Sequence, residues 1–300
     1  MIDLAYIASP SFSGSTLLTF ALNAHPRIAT VGELKWGDID LDTYRCSCGA
    51  LLRECVFWDE VVQRIEARGE PFDLHRPGTD FRFRDRPLMD RAARARLRGP
   101  LFEAVRGAVL TAHPRSRTSW PAIASLNRTL MREVMDMKGA SLFVDASKDP
   151  VRVKHLAETG DFRIRLVHLI RDGRAVVYSA MKNEGVFAES AALEWKRTHL
   201  QISLLQDGGA VESYHPLRYE DFCTAPESTL RRLTDSWGLE AASVVGSIGR
   251  ADHHILGNRM RLTPVTEIKL NEEWRTRMSS KELGVFETVA GAVNREFAYS

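Results

Sequence analysis

Ser13, Gly14, Ser15 and Thr16 lie in the stretch SPSFSGSTLL, where a short apolar run passes through a Ser/Gly-rich turn into a second apolar run. Such a turn ahead of a helix offers consecutive backbone N–H groups, the positive helix end and hydroxyls, which together receive an anion. The pattern departs from the triphosphate-binding loop G-x-x-x-x-G-K-[ST], whose lysine reaches the β- and γ-phosphates and whose hydroxyl holds Mg²⁺. Gly14 and Thr16 keep the second glycine and the hydroxyl, but Ser15 stands at the lysine position and Ser9 at the first glycine. The loop can cradle a phosphate and lacks the side chain that would hold a γ-phosphate. A nucleotide site for chemistry other than ATP hydrolysis is expected.

Those residues need a scaffold, and the hydrophobic pattern predicts one. Leu4, Tyr6 and Ile7 form a strand, Ser9–Thr16 the turn, and Leu17, Leu18, Phe20, Ala21 and Leu22 the apolar face of a helix. Residues 27–33 (RIATVGE) read as a second short strand ending at the Glu33 carboxylate. SLFV (141–144) is a buried strand followed by the turn DASKDP and a helix through Val153 and Leu156. IRLVHLI (164–170) is the clearest strand and runs straight into RDGRAVVYSAMK, a turn and helix. Further helices are expected over 193–205, 229–237 and 281–294, and Pro216 confines the strand YHPLRY (214–219) to an edge. Strands alternating with helices imply a mainly parallel sheet covered on both faces, with ligands at the carboxyl ends of the strands. That rule gathers the loop 9–16, Glu33, Asp145–Lys148 and Arg171–Arg174 on one edge.

The loop, the KDP turn and the R-x₇-S turn-helix, each at a strand end and in this order, resemble the sulfotransferases that use 3′-phosphoadenosine 5′-phosphosulfate, particularly bacterial members and the tyrosylprotein branch. The resemblance covers most of the chain and is weakest in its middle third. It implies an α/β fold of the P-loop type, a three-layer sandwich with a helical, substrate-shaping insert at about residues 56–140, all within one domain spanning 1–300. It implies that Ser13, Gly14, Ser15, Thr16 and Leu17 hold the 5′-phosphosulfate end of the donor, and that Arg171 and Ser179 bind its 3′-phosphate. Arginine suits that task because its planar fork meets phosphate oxygens bidentately. Lys148 is implied to stabilise the oxygen bridging sulfur and phosphorus, and Glu33 to act as general base toward an acceptor hydroxyl. Tyr219, Gly257, Asn258, Arg259, Arg261 and Lys269 are further implied donor contacts. The product would be 3′,5′-adenosine bisphosphate, the acceptor a small molecule, sugar or lipid headgroup, and no metal is expected. One departure stands out: relatives place Arg or Lys just before the S-G pair, where this chain has Phe12.

Other readings stay open at this stage. His25 is the rival base, although His25-Pro26 reads as a helix end and Glu33 is preferred. Asp172 reads as a helix cap, and Arg174 as a second phosphate contact or, preferred, a solvated first-turn residue. A small-molecule kinase of the same architecture, or a nucleotide-binding protein without catalysis, would share the loop. The Arg-dense run FRFRDRPLMDRAARARLRG reads as a solvated amphipathic helix with Leu88, Met89, Leu97 and Leu101 facing inward, the alternative being a basic rim for an anionic ligand.

Composition narrows the function classes. In 300 residues, 41 basic and 39 acidic side chains nearly cancel, which argues against bulk nucleic-acid or membrane affinity. No stretch approaches the ~20 apolar residues of a membrane span, and the N-terminus enters a core strand at once, so a cytoplasmic protein is expected. Cys46, Cys48 and Cys55 cluster in CSCGALLREC and Cys223 stands apart. C-x-C is unlike the usual C-x₂₋₄-C of structural zinc sites, so a loop with free thiols is preferred over a metal or redox site.

Overall fold

The computed structural model describes residues 1–300 apart from 115, 241, 243, 244, 250, 264, 266 and 300. In chain order the elements are β1 (Ile2–Ala8), α1 (Ser15–Asn23), β2 (Ile28–Thr30), α2 (Val56–Ala67), α3 (Pro87–Ala93), α4 (Pro100–Ala112), α5 (Ser116–Lys138), β3 (Leu142–Lys148), α6 (Pro150–Glu158), β4 (Phe162–Ile170), α7 (Gly173–Glu184), α8 (Ala188–Asp207), β5 (Ser213–Arg218), α9 (Tyr219–Thr224), α10 (Pro226–Ser236), α11 (Trp274–Arg277) and α12 (Ser280–Glu296). The sheet has five strands in the order β2-β3-β1-β4-β5, and every pairing is parallel.

Strand alternation explains the three layers. On β1, Leu4 and Tyr6 enter the core on one face while Ala5 and Ile7 enter the core on the other. On β4, Ile164 and Leu166 join the first face, and Val167 and Leu169 the second. Successive side chains of a strand point to opposite faces, so a strand apolar at nearly every position must be covered twice. Trp58, Val61 and Ile65 of α2 with Leu130, Met131 and Val134 of α5 cover one face; Leu17, Leu18 and Leu22 of α1 with Leu230 and Leu233 of α10 cover the other. The fold is therefore an α/β three-layer sandwich of the P-loop type. β5 is an edge strand, as Pro216 requires.

Two boundaries differ from the sequence reading. The strand expected at 141–144 runs on through Lys148, because Tyr6 pairs with Asp145 and Ala8 with Lys148 across an irregular register. Residues 31–33 leave β2 at Gly32 (φ 84°) and are held by a new partner: Leu256 N–H donates to Val31 O at 2.8 Å and Glu33 N–H to Leu256 O at 3.2 Å. The Arg-dense run is not one helix. Pro100 starts α4 after a break at 94–99, Leu97 is buried, and Met89 packs beside Phe83, Ala93 and Leu110. Leu88 and Leu101 are 79% and 80% exposed, so their expected inward placement is wrong.

Candidate active site

The carboxyl ends of the strands bring the charged and hydroxyl residues together. Beyond β1, Phe12 (φ 64°) and Gly14 (φ 89°) both take left-handed backbone conformations. Gly14 is the N-cap of α1 and no side chain caps the helix, so its first-turn N–H groups stay free of a capping acceptor. Glycine is required there twice over. L-residues disfavour the conformation, and a Cβ would lie 2.3 Å from the Tyr219 ring. Ser13 is fully buried, and among the described residues its hydroxyl has no hydrogen-bond partner.

Gly14, Ser15, Thr16 and Leu17 line a cavity of about 740 Å³ with Phe12, Lys148, Arg171, Ser179, Tyr219, Asn258 and Arg259. Arg171 leaves the end of β4 and is 7% exposed. Its Nη1 donates to Phe12 O (2.8 Å) and its Nη2 to Asn271 O (3.1 Å), while its guanidinium lies 4.6 Å from the Tyr219 ring centroid. Its Nε is buried without a partner among the described residues. The Ser179 hydroxyl, two turns into α7, donates to Ala175 O at 2.8 Å. Burial raises the Tyr219 phenol above its ordinary range, so it stays a neutral donor.

A second cavity of about 600 Å³ meets the first at Phe12, Lys148 and Glu184. It is lined by Ser9, Lys35, Arg94, Arg96, Trp195 and Gln201 among others. Lys148 therefore stands where the two spaces join, with its Nζ ion-paired to Glu33 Oε1. Its backbone is also left-handed (φ 67°), a costly conformation for a side-chain-bearing residue at the end of a strand. Gly257 packs against the other side of Glu33, where a Cβ would lie 2.5 Å from Oε1.

Not every residue expected at the donor site reaches it. Arg261 is buried under the same loop, with Nε donating to Arg45 O (3.0 Å), Nη1 to Gly257 O (2.5 Å) and its guanidinium 4.1 Å from the Tyr44 ring centroid. It supports Gly257 and does not line the cavity. Lys269 is exposed and paired with Glu267 at 2.8 Å, also away from the lining. His25 lies past the far end of α1, its Nε2 beside Glu240 O (3.0 Å) and its Nδ1 accepting from Arg27 N–H (3.1 Å). Both ring nitrogens are spent on structure at the opposite sheet edge, so His25 is no base for this site. Asp172 caps α7 as expected, accepting from Arg174 N–H at 2.9 Å. Arg174 is tied rather than solvated: it pairs with Asp172 (2.7 Å) and stacks 4.4 Å from the Trp274 ring.

Residues 7–243 match the family model described as Sulfotransferase family. The chain belongs to the sulfotransferase family. Similar solved structures are likewise sulfotransferases. The sulfotransferase domain of the curacin biosynthetic pathway is 13% identical, with a TM-score of 0.51, and the match covers 100% of this chain and 99% of that one. The sulfotransferase domain of the olefin synthase from Synechococcus PCC 7002 is 19% identical with a TM-score of 0.48, covering 99% and 95%. At these identities the likeness is one of fold. No curated protein gives a match of comparable significance.

Sequence reasoning missed how the DASKDP turn is held. Within DASKDP it singled out Lys148, yet Ser147 does the joining. Its hydroxyl donates to Asp145 Oδ1 (2.5 Å) and accepts from the N–H groups of Leu34 (2.7 Å) and Lys35 (2.9 Å). The fully buried Asp145 is anchored by Arg152 Nε at 3.0 Å, and Arg152 also reaches Thr79 O and Asn127 Oδ1. Partners that satisfy a buried charge in this way make the network stiff. Ser147 thus locks the segment after Glu33 onto the strand that ends in Lys148. Lys35, paired with Asp149 at 2.5 Å, is a second cation on the second cavity that sequence reasoning did not select. The basic lining has a further source in Arg94 and Arg96, so part of the Arg-dense run borders the second cavity.

Proposed function

We propose that this sulfotransferase moves a sulfuryl group from 3′-phosphoadenosine 5′-phosphosulfate to a hydroxyl of a small-molecule, sugar or lipid acceptor. The observation that carries the reading is the Lys148–Glu33 pair at the junction of two cavities, one bounded by an uncapped helix N-terminus. The residues present fit such a donor. The buried hydroxyl of Ser13 and the Nε of Arg171 lack partners among the described residues, and a Cβ at Gly14 would meet the Tyr219 ring beside the cradle. Bound, the donor supplies an activated sulfuryl group whose leaving group is a phosphate.

In this reading the backbone of Ser13–Leu17 holds the 5′ end, while Arg171 and Ser179 hold the 3′-phosphate. Tyr219, Asn258 and Arg259 line the space between. Lys148 neutralises charge developing on the departing oxygen, the role that cations and helix ends perform in related group transfers. Glu33, held at the cavity junction by its ion pair with Lys148, takes the proton of the acceptor hydroxyl as it attacks in line. The step itself calls for no metal, since Lys148 and the helix end provide the positive charge. Phe12 does not leave the site without cations: Lys148 and Lys35 both border the acceptor side. Residues 56–140 serve as the acceptor-shaping insert within one catalytic unit of 1–300.

The test is transfer itself. Incubated with the donor and fractionated metabolite and lipid extracts, the protein should add one sulfate mass to a discrete acceptor and release the bisphosphate. Donor consumption by water alone, across all fractions, would overturn the assignment.

A further inference from the structure

Cys46, Cys48 and Cys55 converge with His254, which lies far downstream, and the four ligand atoms lie within 4.8 Å of one another. Cys48 Sγ is 3.7 Å from Cys55 Sγ, and His254 Nδ1 is 3.6 Å from Cys46 Sγ and 3.3 Å from Cys55 Sγ. Zinc held tetrahedrally with bonds of ~2.3 Å to sulfur and ~2.0 Å to nitrogen needs sulfurs ~3.8 Å apart and sulfur–nitrogen edges of ~3.5 Å. These three edges are close to that figure, and the remaining ones lie within 4.8 Å.

The backbone is built to aim these ligands. Arg45 and Leu51 pair in an antiparallel bridge, Cys46 N–H donates to Ala50 O (3.0 Å), and Gly49 N–H returns to Cys46 O (2.9 Å). Gly49 turns this hairpin tip in a left-handed conformation (φ 93°), so C-x-C presents both thiols to one side. Cys55 is the N-cap of α2, where the helix end favours a thiolate. His254 is oriented by a carboxylate: Asp252 Oδ1 lies 3.1 Å from its Nε2, which turns Nδ1 toward the sulfurs. Metal-bound histidines commonly carry such a carboxylate partner. Phe57 stacks on the same ring at 4.3 Å, fixing its plane.

We propose that Cys46, Cys48, Cys55 and His254 form a closed structural zinc site. Three thiolates and an imidazole in tetrahedral array select zinc, and four protein ligands leave no position open for substrate. The thiols bind as thiolates and release their protons to solvent. The site clips the 45–55 hairpin to the segment that follows His254. Leu256 of that segment bridges Gly32, and Gly257 packs on the Glu33 carboxylate. The zinc thus fastens the wall behind Glu33 from outside the transfer chemistry.

The test uses the full chain purified without chelator. Elemental analysis should find one zinc per chain, and cobalt exchanged into the protein should show the intense d–d bands and thiolate-to-cobalt charge transfer of a tetrahedral site. Two variants at exposed positions spare the fold. Cys48→Ser should lose the zinc on dialysis against a weak chelator, and Asp252→Asn should hold it tenfold to a hundredfold less tightly, the usual range for an outer partner. Folded protein that carries no zinc and takes up no cobalt, or a Cys48–Cys55 disulfide found by mass, would overturn the proposal.

Discussion

At Glu33 the proposed reaction and the structure make separable demands. The carboxylate is paired with Lys148 and walled by Gly257, so replacing it with an isosteric amide removes the base while leaving the donor cavity lined as before. Glu33→Gln should bind 3′,5′-adenosine bisphosphate within about twofold of wild type and lose roughly 10²–10⁴ in kcat, the span of general-base contributions. Calorimetry and steady-state rates check this, and undiminished turnover would move the base elsewhere. Ser147 makes a different claim: it lines the second cavity, but its hydroxyl is engaged by Asp145, Leu34 and Lys35. Ser147→Ala leaves the buried Leu34 N–H unpaired, at a cost of about 1–3 kcal/mol, and the half-buried Lys35 N–H at less. It should lower kcat more than donor affinity, and Ser147→Thr should recover part of the loss. An unchanged kcat in Ser147→Ala would show that Glu33 is held by other means. Of these residues, Glu33, Lys148, Arg171 and Ser179 were legible because each sits in a short motif at a strand end. Ser147 was not, because its partners lie more than a hundred residues away in sequence and no local pattern announces them.

At the scale of elements, strands were legible where apolar and β-branched residues dominate both faces, as in IRLVHLI, because a strand buried on both faces shows no regular polar alternation. Helix faces in the arginine-rich stretch were not. Leu97 and Leu101 satisfy a helical spacing, yet the chain breaks between α3 and α4, and Leu88 and Leu101 end in solvent. The junction of β4, β5 and α8 carries its own consequence. His168 Nδ1 meets the Tyr214 hydroxyl at 2.5 Å, and its Nε2 meets His199 Nδ1 at 2.6 Å in the buried core. Burial pushes His168 down to about 3, and burial followed by the neighbouring His168 holds His199 below its ordinary value. Unfolded, each imidazole takes its proton near pH 6.5, so the unfolded state binds more protons between there and the folded values. Stability is complete above pH ~6.5 and falls as pH drops below it, by about 2 kcal/mol at pH 5 from His168 alone. Urea denaturation at pH 7 and pH 5 should show this loss. A His168→Gln variant, less stable at pH 7, should lose less over the same interval, and equal losses would refute the assignment.

For the whole molecule, a parallel sheet gathers its strand ends on one edge, so the order of motifs along the chain already placed one site there. What the chain order conceals is contact across it. The Cys46–Cys48–Cys55–His254 cluster joins positions as far as 208 residues apart, and the three cysteines alone did not say where in the chain a fourth ligand would come from. The loop without a lysine likewise makes a claim about the entire site, namely that it takes a nucleotide ending in a 5′-phosphosulfate and a 3′-phosphate, and takes it without Mg²⁺. Titration of the full chain with 3′,5′-adenosine bisphosphate and with ATP, each with and without Mg²⁺, reads this directly as a shift in melting temperature. The bisphosphate should raise the melting temperature in a concentration-dependent way with or without Mg²⁺, and ATP should leave it unchanged at the same concentrations. Stabilisation by ATP that requires Mg²⁺, with none from the bisphosphate, would contradict sulfuryl transfer and favour a kinase.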